Sequence, residues 1–129
     1  MLAELEANRE RWMTQRPAGF RYVVDRTCSC PVEEVKPFVV TEESGERTAR
    51  FPLPVETSAG VVLTEPSSPI WLEDIFGQIE QAVRDGAVVS VRFDPARGFP
   101  MSVSIDFERN DEGADIGFEI RDFEVLDYR

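Results

Sequence analysis

Apolar and polar residues alternate along this chain with two distinct periods, and the periods mark its elements. Leu72, Ile75, Phe76, Ile79, Ala82 and Val83 recur at three-and-four spacing, which predicts an amphipathic helix over about residues 69–85. Ser68 is placed to cap it, Pro69 suits its first turn, and Gly86 suits a left-handed stop. A period of two follows. Val89, Val91 and Phe93 alternate with Ser90, Arg92 and Asp94, then Met101, Val103, Ile105 and Phe107 with Ser102, Ser104, Asp106 and Glu108. That pattern predicts a hairpin with one buried and one wet face, turning through Asp94–Pro100.

The remaining elements are read the same way. Residues 2–16 predict an N-terminal helix with Leu2, Leu5, Trp12 and Met13 near one narrow face, ended by Pro17 and Gly19. Phe20 to Cys30 predicts a strand with Phe20, Tyr22, Val24, Cys28 and Cys30 on one face. A run from Val35 to Thr41 leads to a turn at Ser44-Gly45-Glu46, and Arg47–Phe51 returns as a short strand. Residues 52–69 hold four prolines and read as a loop with a short extended piece at Val61–Leu63. The last strand, Ile116 to Leu126, slips phase between Ile120 and Phe123, which predicts a bulge near Arg121-Asp122. The expected fold is α+β, a single domain over 1–129. Its antiparallel sheet has about four to six strands, with the N-terminal helix and the second amphipathic helix packed on it.

Composition narrows the function classes. The chain has no histidine, which removes Ser-His-Asp and Cys-His nucleophilic sites, His-ligated zinc and the usual general base. Its 25 acidic and 14 basic residues give a net charge of -11, which opposes nucleic acid and anionic membranes. The charge is segregated: residues 106–129 carry nine acids and three arginines, whereas residues 1–26 carry four acids and five arginines. No apolar run approaches the length of a membrane helix. The N-terminal residues lack the apolar core of a signal peptide. The expected compartment is therefore cytoplasmic if this N-terminus is native, and periplasmic or extracellular if a signal has been removed.

Five motifs occur in register: a Trp-containing first helix, F-R-Y leading to C-S-C-P, L-E-D-I-F opening the second helix, R-F-D-P-x-x-G-F-P at the hairpin turn, and G-F-E-I-R-D-F near the end. From Trp12 to about Val125 the chain resembles the bacterial domain-of-unknown-function family six-one-seven-four. Trp71 departs from it, standing where the family usually has a Thr able to cap the helix. The resemblance implies an α+β fold and small proteins that are often exported or lipid-anchored. It implies no activity and no catalytic residue.

Candidate chemistry is sparse. Cys28 and Cys30 form the one thiol pair, read as a disulfide, as two buried thiols, or as a redox or metal site. In a straight strand their Cα atoms would stand about 6.6 Å apart, near the upper limit for a bridge. The segment Asp106–Asp115, with Glu108, Asp111 and Glu112, offers oxygens for calcium or an acidic docking face. It fails the EF-hand pattern, with Asp111 where Gly is required and Gly117 where Glu is required. Asp94 is expected to accept backbone hydrogen bonds, and Glu73-Asp74 to complement a helix dipole. Trp71 and Phe99 are expected at the surface as anchors for a partner. No catalytic set, metal site or cofactor emerges. The chain therefore reads as a non-enzymatic binding or structural module of the cell envelope that uses sheet edges or the acidic C-terminal face. Its expected partner is a protein or peptide with a basic surface. A small thiol–disulfide protein and a calcium-binding module are the alternatives.

Overall fold

The computed structural model describes residues 1–27, 36–106 and 116–126. In chain order the elements are α1 (Leu2–Gln15), β1 (Gly19–Thr27), β2 (Phe38–Glu43), β3 (Glu46–Arg50), β4 (Val55–Glu56), β5 (Val62–Leu63), α2 (Leu72–Arg84), β6 (Val88–Phe93), β7 (Pro100–Asp106) and β8 (Ile116–Val125). Six strands form one antiparallel sheet in the order β3-β2-β1-β8-β7-β6, and β4 and β5 pair separately. The sheet is thus two three-stranded meanders fused along β1 and β8. This is the α+β arrangement expected from the two periods.

Local sequence sets the turns. Between β2 and β3, Ser44 and Gly45 both take positive φ (50° and 86°), as a two-residue hairpin turn demands, with Glu43 opposite Glu46. On β8, two residues (Asp122 and Phe123) oppose the single Tyr22 of β1, and Asp122 takes a φ of 55°. This is the bulge that the phase slip predicts, and it swings Phe123 into the aromatic core. A second irregularity, absent from the sequence reading, lies on β7. There Arg92 pairs with Ser102 but Phe93 with Pro100, so Met101 is the extra residue and β6 itself stays regular.

α2 begins later than expected. Trp71 precedes its first residue and neither Ser68 nor Pro69 lies in the helix. No side chain caps it from its own start. Instead the buried Tyr22 hydroxyl, on a central strand, accepts the Leu72 N–H at 2.8 Å. A tertiary contact does the work of a local cap. Glu73 and Asp74 occupy the first turn, as expected for the dipole. At the other end Gly86 (φ 83°) stops the helix: the Ala87 N–H reaches the Ala82 carbonyl (3.0 Å) and the Gly86 N–H the Val83 carbonyl (3.1 Å).

One face of the sheet meets both helices. Phe20, Tyr22 and Val24 of β1, Phe38 and Val40 of β2, Val103 and Ile105 of β7, and Phe118 and Ile120 of β8 are buried there. Leu72, Ile75, Phe76, Ile79 and Ala82 of α2 pack onto them. α1 contributes only Leu5 and Trp12, seven residues apart; Met13 is 63% exposed and Leu2 also faces solvent. The expected four-residue stripe is therefore two residues wide in practice, and Trp12 anchors the helix. Its ring meets Phe20, Phe99 and Phe123 edge-on at 5.2, 5.8 and 5.9 Å. Gly98 lets the β6–β7 turn approach α1, since a Cβ there would lie 2.4 Å from the Asn8 carbonyl oxygen.

Candidate functional site

The two edges of the sheet differ. β3 is short, bears Glu46, Arg47 and Arg50, and runs directly into the proline-rich segment. There the Phe51 N–H, one residue past β3, donates to the Thr64 carbonyl at 2.9 Å, and Glu65, Pro66 and Pro69 line a cleft beside Arg47, Thr48 and Ala49. β6 reads Val-Val-Ser-Val-Arg-Phe, with no proline and no lysine. Among the described residues no strand pairs with its outer side. Val88 is 52% exposed, and Val89, Val91 and Phe93 are half-buried at the margin of the core. Most soluble proteins blunt such an edge with charge, proline or a bulge. This one leaves it regular, with Arg92 as its single charge.

The outer face beside β6 is polar and open. Register aligns Arg92, Ser102 and Glu119 in one row and Ser90, Ser104, Gly117 and Thr27 in the next. A shallow cleft of about 390 Å³ lies over Ser90, Arg92, Ser102, Ser104 and Glu119. Farther along this face, Arg21 meets Glu124 at 2.6 Å and Arg121 meets Asp25 at 2.5 Å, both exposed pairs.

A charged corner closes the opposite side of the molecule. Glu42 sits on the buried parity of β2, after Phe38 and Val40, and is 3% exposed. Arg16, just past α1, lies 3.4 Å from its carboxylate and also pairs with Glu73 of α2. Arg47, directly opposite on β3, stands 3.7 Å from Glu42 and 3.8 Å from Glu73, with its guanidinium over the Trp71 ring. Two arginines thus neutralise two carboxylates where α1, α2 and the β2–β3 hairpin meet. Burial raises the Glu42 pKa above the usual carboxylate value, and Glu73 raises it further, against the pull of Arg16 and Arg47. One Glu42 oxygen, Oε2, has no hydrogen-bond partner. Burial likewise pushes the Tyr22 hydroxyl upward, with Glu42 adding to it, so the phenol stays protonated beside the α2 terminus.

The residues singled out from sequence are scattered. Cys28, Cys30, Glu108, Asp111, Glu112 and Asp115 lie outside the described residues. Asp106 ends β7 opposite Val88, at one end of the open edge. Trp71 is half-buried against Arg47 rather than free at the surface. Phe99 is a correction: it is 4% exposed, stacked on Phe123 at 4.6 Å, because the turn tucks beneath α1. It cannot anchor a partner. Asp94 behaves as expected, accepting the Arg97 N–H at 2.7 Å. Glu42 escaped the sequence reading, although a carboxylate on the buried parity of Phe38-x-Val40-x-Glu42 signals it. Among the described residues no group of three or more acids or cysteines could hold a metal, and no helix is long and apolar enough to cross a membrane.

Comparison with known proteins adds the lineage. The model of a family of unknown function (DUF6174) matches residues 4–125, nearly the whole chain. The protein belongs to that family. No curated protein and no solved structure matches it.

Proposed function

We propose that this protein is a non-enzymatic binding module that takes up an extended protein segment alongside β6. The observation that carries the reading is the contrast between edges: β3 is charged and flanked by the proline-rich segment, whereas β6 is regular and mostly apolar, with no strand on its outer side among the described residues. An incoming strand would satisfy the outward backbone groups of β6 and cover Val89, Val91 and Phe93, the recognition mode called β-augmentation. The net charge of -11 favours segments bearing lysine or arginine, by attraction at long range. The proposed setting is the bacterial cell envelope, which rests on the exported and lipid-anchored members of the family.

Panning a library of short displayed peptides on the whole protein tests this. Enriched sequences should alternate apolar residues and carry basic ones. Val91→Lys, which puts a charge on the inner face of the open edge, should abolish their capture. Thr48→Lys on β3 should leave it intact. Equal loss in both variants, or no enrichment at all, removes the proposal.

A further inference from the structure

The β6 sequence is self-complementary, and we infer that in the absence of another segment its occupant is a second copy of this chain. The inference rests on the strand-acceptor reading above and names who fills the edge. Antiparallel strands place directly opposed residues on the same face, so the register of a β6–β6 pair can be worked out residue by residue. Centred on Ser90, the pair sets Val89 against Val91 of the second copy, and Val91 against its Val89. Phe93 meets Ala87, a large residue against a small one. On the outer face Arg92 lies opposite Val88, so its aliphatic stem can cover the most exposed valine of the strand while the guanidinium stays wet. Ser90 meets Ser90 at the two-fold axis, where small side chains allow close approach.

Other registers are worse. Centring on Arg92 opposes two like charges, and centring on Val91 leaves the two arginines diagonal to each other and sets Val88 against Asp94. Centring on Val89 puts Phe93 against Asp85. In the Ser90 register the two-fold axis runs perpendicular to the sheet. The six strands become twelve, and both helical layers stay on one side. An interface of one strand per copy falls below the size of permanent dimers, so the pair is weak and dependent on concentration. Each copy carries -11, and the mutual repulsion is screened beyond about 8 Å at physiological ionic strength. Raised salt should therefore strengthen self-pairing and weaken capture of a basic peptide. These are opposite signs from one edge.

Sedimentation of the whole protein over a range of concentrations, at low and raised salt, tests the inference. A monomer–dimer equilibrium shifted toward dimer by salt is expected, weakened at least tenfold by Val91→Lys. Mild oxidation of Ser90→Cys should give a covalent dimer above the background of the unaltered chain, since opposed residues lie within disulfide reach. Arg92→Cys, whose two copies stand four residues out of register, should not. The cross-link remains decisive should Val91→Lys fail to fold. A chain that stays monomeric while displayed peptides still bind at β6 overturns the inference and leaves the strand-acceptor reading standing. A dimer that survives Val91→Lys, with no Ser90→Cys cross-link, also overturns it by placing the contact elsewhere. A monomer that captures no peptide ends both.

Discussion

The β3 and β6 edges of one sheet show two ways for a fold to end. At β3 the last strand carries charge, and its arginine is drawn into a corner with Glu42, Glu73 and Arg16. The proline-rich segment then takes up the Phe51 N–H. At β6 the last strand carries valines and a phenylalanine, and α2 covers them only in part. The lesson is energetic. Buried charge holds elements together at a desolvation cost and leaves little to offer a partner. Half-buried valines cost little to hold and gain when something covers them.

The largest expected effect of a substitution lies in the core that both edges share. Trp12→Ala should destabilise by roughly 3–5 kcal/mol, because the ring is fully buried among Phe20, Phe99 and Phe123. Urea unfolding reads it, and a loss under about 1 kcal/mol would mean that α1 is not docked as described. Next comes the charged corner. Arg16→Ala should cost about 1–3 kcal/mol, since Glu42 and Glu73 each lose a partner while Glu42 stays buried.

Glu42→Gln should cost far less than Arg16→Ala, and at neutral pH it should be near neutral or stabilising. The pH dependence gives the sign. The Glu42 pKa is raised in the folded state, so the folded protein binds that proton more tightly than the unfolded chain. As pH falls through the raised value toward the ordinary glutamate value near ~4.3, the Glu42 contribution becomes more favourable. It is least favourable above the raised value. The difference in melting temperature between wild type and Glu42→Gln should therefore move in favour of wild type on acidification. A difference that moves the other way would place Glu42 among carboxylates stabilised by their partners. At β6, Val91→Lys should cost about 1 kcal/mol, its ammonium reaching water past the open edge.

Much of the fold was legible because its signals are local. The α2 stripe, the left-handed Gly86, the Ser44-Gly45 turn and the Ile120–Phe123 phase slip each fall within a few residues. The start of α2 was not legible, because its cap comes from Tyr22, fifty residues away in sequence. Phe99 was misread for the same reason. Beside a turn it resembles a surface anchor, and only the approach of α1 buries it. Whether a strand lies at an edge depends on pairing order, which no local pattern carries. The β6 strand alternates like any half-buried strand, and only the pairing order shows that, among the described residues, β7 flanks it on one side alone. Glu42 was within reach of parity, but its arginine partners come from two other elements.

The most direct test of the open edge is peptide capture by Val91→Lys measured beside Thr48→Lys, with folding of both verified by circular dichroism. An open β6 edge requires that the β6 variant lose capture while the β3 variant keeps it. Capture retained by a folded Val91→Lys, or lost only in Thr48→Lys, would contradict it.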